Sequence, residues 1–180
     1  MNQRKYPIGE FMMPDVIENG SITRWINDLR GFPSQLNRLI SVLSKSELQQ
    51  FYRPGGWNIT QVVHHCADSH MNAFIRCKLA LTEDNPTIKD YYEADWAELP
   101  DTTLAATEDS IHLLKGLHLR WVVLFENLRE EQWKRTYFHP GQQRKVTLLE
   151  VLGMYSWHSR HHLAHIKQAI DEPFHTLPNE

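Results

Sequence analysis

The sequence predicts an all-α protein, a four-helix bundle with a long crossover loop and a small hairpin before its last helix. Three observations lead there. Four stretches of the 180 residues repeat apolar side chains at helical spacing. The connection between the second and third has no such period, and strand signals are confined to one short segment.

Residues 1–20 read as irregular, because Pro7, Gly9 and Pro14 break any periodicity. From Ser21 onward Trp25, Ile26, Leu29, Leu36, Leu39, Ile40 and Leu43 recur at helical spacing, with Pro33 a kink or restart inside the stretch. "SKSE", Ser44 to Glu47, has the capping-box pattern and opens a short helix that "RPGG", Arg53 to Gly56, ends. The second long helix runs from about Thr60 to Leu81. Residues 83–108, with Pro86 and Pro100, read as a long crossing loop, a length that is uncommon and often functional. A third helix over about Asp109 to Leu128 aligns Ile111, Leu114, Leu117, Trp121, Leu124, Phe125 and Leu128. "YFHPGQQRKV", Tyr137 to Val146, sets a Pro-Gly turn between two extended pieces, the hairpin. "TLLE", Thr147 to Glu150, repeats the capping-box pattern and opens a fourth helix that runs to about Ile170.

Composition narrows the function classes. Hydrophobic residues make up 41% and charged residues 23%, as expected of one globular domain over residues 1–180. A formal charge of −3 gives no basic footprint for nucleic acid. No apolar run reaches the ~18–20 residues a bilayer needs, and the N-terminal stretch has no apolar core of a secretory signal. Cys66 and Cys77 stand eleven residues apart in one helix. That spacing separates their Cα atoms by roughly 16 Å, too far for a disulfide. Both lie on the apolar stripe and read as buried structural thiols in a reduced, cytoplasmic protein.

The histidines point to chemistry. Of the eleven in the chain, four fall within "WHSRHHLAHI", Trp157 to Ile166: His158, His161, His162 and His165. Advancing ~100° per residue, the apolar positions Leu148, Val151, Leu152, Tyr155, Leu163, Ile166 and Ile170 scatter around roughly +90° from His158. His162 lies at about +40°, His165 at about −20° and His161 at about −60°. His158 and His162 are therefore nearest the buried stripe, and their spacing of four lets two imidazoles share a metal. His161 and His165 face further toward solvent and read as surface residues or supports of the ligands. Ser159 occupies the place of glutamate in HExxH, so the metalloprotease base is absent from this helix.

A second cluster, "HHCADSH", supplies His64, His65 and His70 on the second long helix. Metal sites in bundles are built from inward side chains of facing helices, and three ligands with an open position are the layout of catalytic zinc. Periodicity through Ile59, Val62, Cys66, Ala73, Cys77 and Ala80 puts His70 nearest the stripe, His65 on its flank and His64 away. His70 and His65 are both eligible as the third ligand. His65 also heads a polar row, Ser69, Asn72 and Arg76, that reads either as a pocket wall or as a solvated edge.

The segments "RPGGWNITQVVHHCADSHMNAFIR" and "TLLEVLGMYSWHSRHHLAHI" resemble those of the DinB/YfiT-like superfamily, and closely those of its YfiT group of metal-dependent hydrolases. "YPIGEF", "LALTEDNP", "LHLRW" and "YFHP" extend the resemblance over most of the chain. It implies an up-down-down-up bundle and one divalent metal ion per chain, zinc or nickel, held by three histidines. The family takes one ligand from the histidine preceding "xAD" and two from the HxxxH of the last helix. On this sequence they are His65, His158 and His162. The resemblance further implies a cytoplasmic homodimer acting on a small molecule. Some related members are thiol S-transferases that join a thiol such as bacillithiol to electrophiles.

Three neutral imidazoles leave a divalent ion its full charge and an open position, which suits either of two reactions. Water bound there has its pKa lowered toward ~7, and a thiol is bound as thiolate. Among residues beside the site, Arg76 is expected to orient an anionic substrate group, with Asn72 and Asp68 supporting a ligating imidazole. Trp57, Trp121, Trp133 and Trp157 read as core or interface residues. The rival from another class is a non-catalytic bundle that binds metal or a small molecule.

Overall fold

The computed structural model describes residues 2–174, so residue 1 and residues 175–180 of the expected domain lie outside the described residues. Seven helices and a hairpin succeed one another in order: α1 (Asn2–Lys5), α2 (Ser21–Ile40), α3 (Ile59–Thr82), α4 (Glu93–Trp96), α5 (Pro100–Leu104), α6 (Thr107–Glu126), β1 (Thr136–His139), β2 (Arg144–Thr147) and α7 (Leu148–Asp171). The four long ones, α2, α3, α6 and α7, form the bundle expected from sequence.

Their adjacency is not that of consecutive hairpins. α2 packs on α6 and α7, and α3 packs on the same two, which leaves α2 and α3 on one diagonal. Contacts give the directions. α3 and α6 are parallel, since His64 meets Ser110 and His70 meets His118. α3 and α7 are antiparallel, since His65 meets His158 and the later Ser69 meets the earlier Tyr155. α2 and α7 are parallel, with Trp25 packed at Gly153 and Asp28 bonded to Ser156. The order is therefore up-down-down-up.

Helix starts obey local chemistry. Thr147 accepts the Glu150 N–H at 3.1 Å, so "TLLE" does open α7. The Glu150 carboxylate does not complete the box, because Arg144 of β2 holds both its oxygens, at 2.6 and 3.0 Å. α3 has a full box that the capping patterns picked out in the sequence do not include: Asn58 accepts from the Gln61 N–H at 2.8 Å and the Gln61 side chain accepts from the Asn58 N–H at 3.1 Å. "SKSE" does pair reciprocally, but it opens only a single 3-10 turn over Glu47–Gln49.

Three expectations need correction. Residues 1–20 are not irregular throughout, because Asn2–Lys5 form α1. α2 passes unbroken through Pro33 rather than restarting there. Residues 83–108 are not a structureless crossing: α4 and α5 lie within them, and Thr87 pairs with Phe138 of β1. Buried Ile88, Ala97 and Thr102 tie this segment down, as a long connection inside a compact domain requires.

The interior is layered. One apolar cluster gathers Trp25, Leu29, Phe74, Cys77, Trp121, Phe125, Val151 and Leu152 under the hairpin. A second gathers Phe32, Leu36, Ile59, Val62, Cys66, Ile111, Leu114 and Ile166 toward the other end. Between them lies a layer of histidines. No helix among the described residues is long and apolar enough to cross a membrane.

Candidate metal centre

Antiparallel packing of α3 on α7 brings His65 against one turn of α7, where His158 and His162 stand one above the other. The Nε2 atoms of His158 and His162 are 3.1 Å apart, and those of His65 and His158 are 3.4 Å apart. One nitrogen from each of the three lies within 4.8 Å of the others. The His158 and His162 rings meet edge to face, as do those of His65 and His162. Imidazole donors ~2.0–2.1 Å from a divalent ion stand roughly 2.9 to 3.4 Å apart for octahedral or tetrahedral angles. The separations at His158 fit such an ion, and the remaining pair, His65 and His162, lies within 4.8 Å.

Burial holds these rings neutral. It pushes His65 down to about 4, helped by nearby His161, and pushes His158 and His162 well below the ordinary imidazole value. A neutral imidazole keeps the lone pair a metal needs. Trp57 closes one side, its ring 4.6 Å from that of His65.

Four more histidines extend the layer. His70, wholly buried on α3, places Nε2 3.0 Å from His158 Nδ1 and Nδ1 2.8 Å from His118 Nε2. His118 of α6 in turn lies 2.6 Å from the Leu29 carbonyl. On the other side His165 Nδ1 is 3.4 Å from His162 Nδ1, and its Nε2 is 3.1 Å from the Lys5 carbonyl. His161 stacks on Trp157, with ring centres 4.3 Å apart.

The solvent-facing placement of His161 and His165 is thus wrong: they are 6% and 2% exposed. The wheel treated the bundle as the whole interior, whereas α1 and the Tyr52 ring cover this face of α7. His70 proves to be a neighbour of the three-nitrogen group and not a member of it. His64 turns toward α6 and bonds Ser110 at 2.7 Å. His118 was missed, although a signal existed. It falls in the 3-4-3-4 row Ile111, Leu114, His118, Trp121, Phe125, a polar residue on an apolar stripe.

Residues 28–166 match the DinB superfamily. The chain belongs to it. Among its relatives in the superfamily is the "Putative metal-dependent hydrolase YfiT" of Bacillus subtilis, 45% identical over 91% of this chain and 92% of that one. Another, from Oceanobacillus iheyensis and likewise named a metal-dependent hydrolase, is 46% identical over 92% of this chain and 95% of its own. The solved structure of Bacillus subtilis YfiT, described as a probable metal-dependent hydrolase with an unusual four-helix bundle topology, superposes with a TM-score of 0.90. It is 43% identical and covers 94% of this chain and 97% of its own. A mycothiol-dependent maleylpyruvate isomerase shares the superfamily's fold at 19% identity and a TM-score of 0.64, covering 81% of this chain and 60% of its own.

Within this DinB fold a cleft of about 160 Å³ opens beside His158, walled by Ser69, Arg76, Tyr137, Tyr155 and the hairpin. Arg76, expected beside the site, lines it and donates to the Lys89 carbonyl at 2.8 Å. Glu93 of α4 shares the wall, and burial raises its carboxyl pKa against the opposing pull of Arg76. Asn72 and Asp68 are not brought to the group. Asn72 donates to the Asp68 carbonyl of its own helix at 2.9 Å. The Asp68 carboxyl is raised to about 6, first by burial and then by Asp101 of α5. Asp68 faces Asp101 of α5, and the groups within hydrogen-bond reach of the Nδ1 atoms of His158 and His162 are His70 and His165. Cys66 and Cys77 are fully buried, and burial lifts both thiols, Cys77 to about 12, which suits packing and not nucleophilic attack.

Proposed function

We propose that this chain is a metal-dependent hydrolase of small molecules, with His65, His158 and His162 holding one divalent ion, zinc or nickel. The observation that carries the reading is the convergence of three neutral imidazole nitrogens at 3.1 and 3.4 Å beside an open cleft. The names of the relatives support it. When bound, a divalent ion would supply Lewis acidity there, polarising a substrate carbonyl or phosphoryl oxygen and lowering the pKa of bound water toward ~7.

The chain's own residues do the rest. The three histidines bring no charge, so the ion's full charge is felt in the cleft. Arg76 presents its guanidinium to an anionic substrate group, and Trp57 limits water on the His65 side. Two carboxyls line the cleft; Arg144 holds Glu150 through both oxygens, so Glu93 is the one placed to take a proton. On the family resemblance, the unit is taken to be a cytoplasmic homodimer, which light scattering of the purified protein tests.

Elemental analysis comes first, followed by ester, amide and phosphoester hydrolysis and thiol conjugation, each with and without the metal found. The expected result is one equivalent of metal, and hydrolysis that chelation abolishes and re-addition restores with helicity retained. Metal-dependent thiol conjugation without hydrolysis makes the chain a transferase. A metal whose removal melts the helices makes the site structural.

A further inference from the structure

We infer that two backbone carbonyls, those of Leu29 and Lys5, fix the tautomers of His158 and His162 through strings of buried imidazoles, so that both present a bare Nε2 to the metal. The inference rests on the proposed metal centre and concerns how its ligands are poised. His70, His118 and His165 are its positioning residues.

Each string starts at a carbonyl with no helical partner. Leu29 stands four residues before Pro33, and proline has no N–H to donate back to it. Its oxygen instead takes His118 Nδ1 at 2.6 Å. Lys5 is the last residue of α1, where carbonyls are unpartnered by construction, and its oxygen takes His165 Nε2 at 3.1 Å.

A carbonyl only accepts, so the proton direction propagates. His118 must carry its hydrogen on Nδ1, which leaves Nε2 bare to accept from His70 Nδ1 at 2.8 Å. His70 Nε2 is then bare and accepts from His158 Nδ1 at 3.0 Å, which leaves His158 Nε2 free for the metal. On the other side His165 donates from Nε2, accepts on Nδ1 from His162 Nδ1 at 3.4 Å, and leaves His162 Nε2 free.

The rings stay singly protonated because nothing there favours a cation. Phe32 stacks on His70, Trp121 meets His70 and His118 in T-shaped arrangements, and no carboxylate bonds to either string among the described residues. With both Nε2 atoms bare, the 3.1 Å approach of His158 to His162 sets lone pair against lone pair, an arrangement a cation relieves.

Nitrogen-15 correlation spectra of the histidine rings in the metal-free, full-length protein test this directly. The expected tautomers are Nδ1–H for His118, His70, His158 and His162, and Nε2–H for His165. An Nε2–H tautomer at His158 overturns the inference. Zn²⁺ titration against a competing chelator adds a second readout. His118→Leu removes the acceptor and is expected to weaken binding 10- to 100-fold. His118→Gln, whose amide can donate to Leu29 and accept from His70, is expected to stay within a few-fold of wild type. Unchanged affinity in the leucine variant also overturns the inference. If wild type shows these tautomers but binds no Zn²⁺, Ni²⁺ or Co²⁺, the metal reading fails and the tautomer assignment stands.

Discussion

The two apolar layers and the histidine layer between them are built from the same helices but under opposite rules. In the apolar layers each buried side chain adds to stability by leaving water, and any side chain of the right volume serves. In the histidine layer the rings are buried at a desolvation cost, with His158 half-buried at the cleft, and the place of each depends on which nitrogen faces which neighbour. The comparison separates what holds the bundle together from what gives it chemistry. Stability and metal binding should therefore respond to different substitutions.

The sharpest separation is expected from His65→Leu. It should abolish stoichiometric binding of zinc or nickel, read by elemental analysis, while the metal-free protein melts at or above the wild-type temperature. Retained stoichiometry means the ligand assignment is wrong. Leu36→Ala, wholly buried in the second apolar cluster, should do the reverse. A loss of about 2–5 kcal/mol, read by denaturant unfolding, should leave metal stoichiometry intact.

Acid should find the histidine layer first. Burial lowers His118 and His161 to about 4 and His165 to about 3, while the unfolded chain titrates near 6.5. Between those values the unfolded state binds more protons, so stability is full above pH 6.5 and falls as pH drops toward 4. His118 alone contributes on the order of 3 kcal/mol to that slope, and His118→Leu should flatten it in metal-free melts by that amount. The smallest effect belongs to neither layer. Thr147→Ala removes the α7 cap at about 1 kcal/mol in thermal unfolding, with metal affinity unchanged.

The apolar layers were legible in the sequence because periodicity reports what faces a core; it placed α3, α6 and α7 within about two residues and carried α2 past its end at Ile40 to Leu43. The three converging histidines were only partly legible. The wheel alone reached His158 and His162, but left His65 and His70 as equals until the resemblance chose between them. Both inward histidines meet His158, and which of them reaches its Nε2 rather than its Nδ1 depends on how far α7 is rotated and shifted, a tertiary quantity no single helix encodes. His165 was misplaced for a related reason: its cover comes from α1, about 160 residues away in sequence. Of the polar row headed by His65, Ser69 and Arg76 line the cleft while Asn72 turns to the Asp68 carbonyl, because a polar row at helical spacing marks a face without saying which element lies against it. Pro33 read as a kink or restart, and its consequence for the Leu29 carbonyl needs the position of α6.

The diagonal placement of α2 and α3 has a consequence for how the protein is made. In a bundle of successive hairpins each helix finds its neighbour as soon as that neighbour exists. Here α2 rests on α6 and α7, and α3 on the same pair, so the first two long helices wait for the last two. The Asp28–Ser156 bond closes a span of 128 residues, and such long-range closures slow folding and leave apolar faces uncovered meanwhile. Two of the three converging histidines lie on α7, so no earlier fragment of the chain carries the whole set. On the proposed reading, metal capture then falls after α7 is made rather than at the start of folding.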